Sequence, residues 1–185
     1  MYVTDQERSD LGGNMRHGDA YTWSPNLWKY LVERFAIRSV LDVGCGEGHA
    51  VLFFHRLGLF SHGIDGLVQQ FVVPICKHDL LVSSYLMPVD LVWSCEVAEH
   101  IDPDKVDNFL DTLSNGRIVA MTHATPGQLG HNHVNCQPAE YWIEHMNRRG
   151  YELSSDTHIF RNIKEECPWT HFSRSGLVFL RNSNV

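Results

Sequence analysis

The chain has 185 residues, of which 43% are hydrophobic and 20% are charged, and its formal net charge is −7. This length suits one domain with a single core, and the composition is that of a globular protein and not of a disordered one. The negative charge disfavours a nucleic-acid partner, because a phosphate backbone normally requires a basic surface. No apolar run approaches the length of a membrane span, and the N-terminus is too polar for a signal peptide. The five cysteines are an odd number and indicate reduced thiols, so we expect a cytoplasmic protein.

Strand and helix signals alternate along the chain without an internal repeat. Helices are predicted from Pro25, over residues 47–57, from Asp102-Pro103 and over residues 138–149. Strands are predicted over residues 39–43, 59–65, 72–77, 90–95, 117–123, 151–155 and 177–181. This alternation predicts an α/β fold with a parallel, doubly wound sheet. Residues 24–185 are therefore predicted to form one domain, preceded by a separate N-terminal segment, residues 1–23.

The most informative stretch is Val40–Gly48, an apolar strand that ends in an acid and three glycines before a helical pattern begins. The glycines form G-x-G-x-G, whereas a dinucleotide fingerprint has the spacing G-x-G-x-x-G. Asp42 precedes them, and an acid at this place disfavours a pyrophosphate. It suits a cationic ligand, such as the amino acid end of S-adenosylmethionine. Gly44 and Gly46 would let the backbone approach that ligand, and Gly48 would let the helix pack close to the strand.

This segment resembles motif I of the class I S-adenosylmethionine-dependent methyltransferases, and the resemblance covers roughly residues 24–181. It implies a Rossmann-like, mostly parallel sheet of seven strands with helices on both faces. It also implies that Asp65 binds the ribose hydroxyls, that Asp79 bonds the adenine amine, and that the first acid after the fourth strand touches the cofactor. The residues that the resemblance assigns to S-adenosyl-L-methionine are Asp42, Gly44, Cys45, Gly46, Asp65, Gly66, Asp79, Leu80 and Glu96.

Three polar residues follow the fourth predicted strand. Glu96, Glu99 and His100 stand at i, i+3 and i+4, so on a helical turn they would point to one side and could hold a divalent cation. The pattern resembles the ubiquinone-pathway O-methyltransferases and the small-RNA 3′-terminal 2′-O-methyltransferases. In the RNA branch two glutamates and two histidines hold magnesium. The resemblance implies Mg²⁺ or Mn²⁺ bound by Glu96, Glu99, His100 and His133, with vicinal acceptor hydroxyls on the metal.

Other interpretations of the histidines remain open. Without a metal, His100 and His123 are the candidate catalytic bases, because an unperturbed imidazole titrates near neutrality. His131, His133 and Cys136 form a weaker candidate zinc site.

Aromatic residues crowd two segments without clear periodicity, residues 2–23 and 157–171. Both are candidate lids that exclude water and recognise the acceptor, although edge packing is the slightly better account of Trp169. The family resemblance implies that an N-terminal lid closes over the cofactor through Tyr21 or Trp23.

The sequence therefore predicts an enzyme that transfers a methyl group from S-adenosylmethionine, most readily to the oxygen of a small hydroxylated acceptor. A non-catalytic module that binds the cofactor is the main alternative, and a nicotinamide-dependent oxidoreductase is a weaker one because of the glycine spacing. A small molecule is the expected partner, although an RNA 3′ end is not excluded. The sequence does not specify the acceptor or the oligomeric state.

Overall fold

The computed structural model describes residues 2–5, 7–8, 10–67, 72–73 and 75–182. Its strands are β1 (Tyr2–Val3), β2 (Asn14–Met15), β3 (Ser39–Val43), β4 (Phe60–Asp65), β5 (Cys76–Lys77), β6 (Val89–Ser94), β7 (Gly116–Met121), β8 (Tyr151–Leu153) and β9 (Leu177–Arg181). Its helices are α1 (Pro25–Phe35), α2 (His49–Arg56), α3 (Val106–Leu113), α4 (Ala139–Arg148), α5 (Thr157–Arg161) and α6 (His171–Ser175), with single 3-10 turns at Ala98–His100 and Pro103–Lys105. None of these described helices has the length and hydropathy needed to cross a membrane.

Seven strands form one sheet in the order β5-β4-β3-β6-β7-β9-β8, and β1 pairs with β2 in a separate antiparallel ladder. The pairs among β3 to β7 are parallel, whereas β9 runs antiparallel to both β7 and β8. The prediction of a seven-stranded, mostly parallel sheet is confirmed. The strand order reverses direction between β3 and β6, and open α/β sheets bind their ligands at the carboxyl ends of the strands beside such a reversal.

Apolar side chains cover both faces of the sheet, as the doubly wound arrangement requires. Along β3, Val40 packs into one hydrophobic cluster, whereas Leu41 and Val43 pack into the other. Helices α1, α2, α5 and α6 contribute to the first cluster, with Leu31, Phe54, Phe160 and Phe172 among their buried side chains. Helices α3 and α4 contribute to the second, with Leu110 and Trp142. The prediction of helices on both faces is confirmed, because alternate residues of each strand face opposite layers.

The third strand differs most from its prediction. It covers Cys76–Lys77 and not residues 72–77, and Val72 and Val73 lie in a bend. The amide of Val72 donates to the carbonyl of Glu47 at 2.9 Å, so this part of the chain bonds to the loop before α2 and not to a strand. The apolar, β-branched run had suggested a strand, but residues 68–71 and 74 lie outside the described part of the chain.

Two helical boundaries also differ. Helix α2 begins at His49, two residues later than predicted, because Gly48 has a φ of 87° and caps the helix in the left-handed region. The role predicted for Gly48 also changes, since a side chain there would meet Val73 and Ile75 and not a neighbouring strand. Residues 157–171, which show no periodicity, contain α5 and the first residue of α6.

Candidate functional site

A cavity of about 880 Å³ opens at the carboxyl ends of β3, β4 and β6. All nine residues predicted to bind the cofactor line it, namely Asp42, Gly44, Cys45, Gly46, Asp65, Gly66, Asp79, Leu80 and Glu96. Residues from the N-terminal segment line it as well, among them Leu11, Asn14, Asp19 and Trp23. The nine predicted residues thus come from four separate stretches of the chain and line one cavity of ligand size.

The glycine turn after β3 is fixed by backbone hydrogen bonds to β4. The amides of Gly44 and Cys45 both donate to the carbonyl of Ile64, at 2.9 and 3.0 Å. Gly44 has a φ of 71°, and a side chain at this position would overlap that of Val97, in the loop after β6. A residue with a Cβ is therefore doubly disfavoured, by its backbone conformation and by the lack of space.

Two carboxylates lie side by side beneath this turn. Asp65 accepts hydrogen bonds from the amides of Gly46 and Leu67, both at 2.8 Å. Asp42 is buried, and burial together with the nearby charge of Asp65 raises its pKa to about 8. A cationic ligand beside Asp42 would favour the ionised form and offset part of this cost.

Asp79 already has partners in the structure. Its Oδ1 accepts from the amide of Leu81 at 2.9 Å, and its Oδ2 accepts from Nη2 of Arg8 at 2.7 Å. The guanidinium of Arg8 also contacts Asp10, so two acids of the N-terminal half share it. Arg8 was not predicted from the sequence, and it bonds the carboxylate predicted to receive the adenine amine.

Three of the four predicted metal ligands lie together. Donor atoms of Glu99, His100 and His133 lie within 4.8 Å of one another. The amides of Val134 and Asn135 donate to the backbone carbonyl of Glu99 at 2.9 and 3.0 Å, which holds the loop that carries His133 against the turn that carries Glu99.

Glu99 is fully buried, and neither of its carboxylate oxygens has a hydrogen-bond partner of normal geometry among the described residues. Burial raises the pKa of Glu99 well above its ordinary value, and the charge of nearby Glu96 raises it further. A buried carboxylate without a partner is costly unless it is protonated or binds a cation.

His100 is in the form that binds metals. Its Nδ1 lies 3.2 Å from the carbonyl oxygen of Asn132, so Nδ1 carries the hydrogen and Nε2 keeps a free lone pair. Burial lowers the pKa of His100 to about 4, which keeps the ring neutral at physiological pH. Nδ1 of His133 lies 3.8 Å from the sulfur of Cys136. The rings of His100 and His133 and the carboxylate of Glu99 form a compact set of donors.

Glu96 faces a different set of partners. It has a φ of 58° and precedes the 3-10 turn Ala98–His100, so it does not share a helical face with Glu99 and His100 as expected. Its Oε1 accepts from the hydroxyl of Thr122 at 3.1 Å, and its Oε2 lies 3.1 Å from Nδ1 of His171. Its predicted roles as a metal ligand and a cofactor contact remain predictions.

His171 also contacts the N-terminal segment. Its Nε2 lies 3.2 Å from Oδ2 of Asp19, and this hydrogen bond lowers the pKa of Asp19. Both residues line the cavity and lie in the two segments predicted to be lids, although their mutual contact was not predicted. No local motif could have shown this, because Asp19 and His171 are 152 positions apart in the sequence.

The other histidine hypotheses fit the structure less well. His123 is buried beside Trp142 and is not among the described residues that line the cavity. Its Nε2 has no hydrogen-bond partner in the described part of the chain, and burial lowers its pKa. Among the described residues, the donor group that contains His133 includes Glu99 and His100 but neither His131 nor Cys136, although Nδ1 of His133 lies 3.8 Å from the sulfur of Cys136.

No protein-family model and no curated protein matches the chain. Solved structures do match. The sugar N-methyltransferase KedS8 from Streptoalloteichus sp. ATCC 53650 is 14% identical, with a TM-score of 0.61 over 91% of each chain. The methyltransferase domain of the bacterial CtHen1-C is 15% identical, with a TM-score of 0.57, and the match covers 86% of this chain and all of that one.

A third similar structure contains a ligand. Magnesium protoporphyrin IX methyltransferase ChlM from Synechocystis PCC 6803, with bound SAH, is 15% identical, with a TM-score of 0.57 over 83% of this chain and 80% of that one. At such identities the likeness is one of fold. The chain has the fold of the class I S-adenosylmethionine-dependent methyltransferases, as the resemblance of Val40–Gly48 implied.

Proposed function

We propose that the protein is an S-adenosylmethionine-dependent O-methyltransferase that acts on a small acceptor with neighbouring hydroxyl oxygens. One observation carries this proposal. The nine residues that the sequence assigns to the cofactor all line a single cavity, and this cavity lies at the strand-order reversal of a methyltransferase fold. Such a fold by itself would not select an activity, so the proposal depends on the chemistry of the site.

The charges of the cavity suit S-adenosylmethionine. Burial and the charge of Asp65 raise the pKa of Asp42, and the ammonium and sulfonium groups of the cofactor would supply positive charge beside it. Asp65, fixed by two amides, would accept from the ribose hydroxyls. Asp79 would bond the adenine amine, in which case Arg8 must share or leave that carboxylate.

A divalent ion at Glu99, His100 and His133 would account for the buried carboxylate of Glu99, which has no hydrogen-bond partner of normal geometry among the described residues, and for the two imidazoles beside it. One carboxylate with two imidazoles suits Mn²⁺ better than Mg²⁺, because Mg²⁺ keeps to oxygen ligands whereas Mn²⁺ also accepts imidazole nitrogen. When bound, the ion would acidify an acceptor hydroxyl. The protein would then align that oxygen with the cofactor methyl, and alignment accounts for much of the rate of such transfers.

Calorimetric titration with S-adenosylhomocysteine tests the cofactor assignment. We expect one-site binding to the wild-type protein and to Glu152→Gln, which changes an exposed acid on β8. Binding should be lost or strongly weakened in Asp65→Ala. Failure of the wild type to bind, or binding of NAD in its place, would overturn the proposed function.

A second titration tests the metal assignment. Chelator-treated protein saturated with S-adenosylhomocysteine should bind one Mn²⁺, and Glu99→Gln should abolish that binding while Glu152→Gln preserves it. Absence of binding in the wild type would remove the metal and leave the cofactor assignment intact. A panel of catechols, sugar diols and RNA 3′ ends would then identify the acceptor. Tight cofactor binding without turnover on any of them would favour the non-catalytic module.

A further inference from the structure

His171 connects α6 to the N-terminal segment at the edge of the cavity. It is the first residue of α6, and its side chain is only 17% exposed. Its Nδ1 lies 3.1 Å from a carboxylate oxygen of Glu96, and its Nε2 lies 3.2 Å from a carboxylate oxygen of Asp19. Both ring nitrogens therefore face carboxylate oxygens, one on Glu96 and one on Asp19. The ring thus bridges two acids that would otherwise repel each other.

Contacts of two other kinds support this bridge. The amide of His171 donates to the carbonyl of Tyr21 at 2.9 Å. The ring of Tyr21 stacks on that of Trp169, with centroids 4.0 Å apart and planes 9° from parallel. Residues 19–21 are thus attached to residues 169–171 by three independent contacts. These are the side-chain contact of His171 with Asp19, the backbone hydrogen bond and the stacked aromatic pair.

The N-terminal segment is attached at its other end as well. Arg8 bonds Asp79 at 2.7 Å, and the side-chain amide of Asn132 donates to the carbonyl of Asp10 at 3.0 Å. Between these attachments the segment lines the cavity with Leu11, Asn14 and His17.

We propose that His171 is a positioning residue that fastens the N-terminal segment over the cavity through its contacts with Asp19 and Glu96. The inference rests on the proposed function only in that the cavity holds S-adenosylmethionine. Glu96 is thereby assigned to the fastening and not to the metal, so three protein ligands remain. A metal centre with three protein ligands keeps coordination positions open for acceptor oxygens.

Ligand release and amide exchange test the fastening. We would measure dissociation of S-adenosylhomocysteine by tryptophan fluorescence, because Trp23, Trp28 and Trp93 line the cavity. In His171→Ala and Asp19→Asn, release should be faster by about tenfold, the loss expected for one charge-assisted hydrogen bond. Hydrogen exchange should rise in residues 10–23 and stay unchanged in β7. His55→Ala, an exposed histidine on α2, should match the wild type in both measurements.

Conservative replacement separates positioning from a general loss of structure. His171→Gln keeps an amide donor, so it should release the ligand more slowly than His171→Ala. Unchanged release and unchanged exchange in His171→Ala would overturn the proposal. If wild-type protein does not bind S-adenosylhomocysteine, the proposed function fails, whereas the exchange of residues 10–23 still decides the fastening.

Glu96 is tested by its metal dependence. Glu96→Gln should retain the Mn²⁺ binding that Glu99→Gln loses, and it should release S-adenosylhomocysteine faster than the wild type. Loss of Mn²⁺ binding in both variants would make Glu96 a ligand and overturn its assignment to the fastening.

Discussion

Asp42 shows how one residue can favour binding at the expense of stability. It is 4% exposed, and its pKa is raised to about 8 from the ordinary value of 3.8. Because the folded protein holds this proton more tightly than the unfolded chain does, the contribution of Asp42 to stability is complete below pH 4. It is lost as the pH rises towards 8. Ionisation of Asp42 therefore costs the ligand-free protein stability, and a cationic ligand beside the carboxylate would relieve that cost.

We expect Asp42→Asn to stabilise the ligand-free protein at pH 8, because the amide cannot ionise. The gain should exceed about 1 kcal/mol, the free energy of roughly one unit of pKa shift. It should shrink towards pH 5, where the aspartic acid is protonated in the fold, and binding of S-adenosylhomocysteine should weaken. Thermal unfolding from pH 5 to 9 measures the first effect, with the exposed Asp104→Asn as the control. Equal stability of wild type and variant at every pH would contradict the burial of an ionisable Asp42.

Residues differ in how well the sequence predicts their place. Asp42, Asp65 and Asp79 each stand at or just beyond the carboxyl end of a predicted strand. The carboxyl ends of parallel strands meet at one edge of a sheet. Their common cavity could therefore be predicted. Asp19 and His171 lie in segments without periodicity, and they meet only because the last helix returns to the N-terminal segment.

Among the elements that form the site, the loop after β6 differs most from the conformation that its sequence pattern predicted. The spacing of Glu96, Glu99 and His100 suggested a helical turn, but Glu96 adopts a left-handed backbone and only Ala98–His100 form a 3-10 turn. Spacing alone carries no information about φ, so the left-handed backbone of Glu96 could not be predicted. The loop that carries His133 follows β7, at the same edge of the sheet, and the structure brings His133 beside Glu99 and His100.

The contact between the loop after β6 and the glycine turn can be tested by substitution of Gly44. Gly44→Ala should lower the free energy of unfolding by more than Gly58→Ala. Both positions have a positive φ, at 71° and 79°, but only a side chain at Gly44 would overlap Val97. Strain alone costs of order 1 kcal/mol, and overlap adds about 1–3 kcal/mol. Urea unfolding of the two variants isolates the overlap, and equal losses would show that Val97 does not constrain the turn.

Across the whole molecule, the strand and helix order was predictable because the central strands are continuous apolar runs, buried on both faces, that alternate with helical patterns. The short length of β5 could not be predicted, because an apolar run with valines and a proline resembles a strand whether or not it joins the sheet. The attachment of the N-terminal segment was also beyond prediction, since it depends on contacts with residues far along the chain. The cavity is therefore closed by the parts of the chain that have the least regular sequence.

This arrangement predicts that cofactor binding stabilises the entire fold and not only the cavity wall. At a concentration one hundred times its Kd, S-adenosylhomocysteine should add about 2.7 kcal/mol to the free energy of unfolding. For a domain of this size, that gain should raise Tm by roughly 5–10 °C. The increase should persist in Glu152→Gln and largely disappear in Asp65→Ala. Because β4 carries Asp65 and pairs with β3 and β5, unfolding should remain a single transition in the presence of the ligand. Two separate transitions, with only one shifted by the ligand, would show that the cavity unfolds independently of the sheet that carries it.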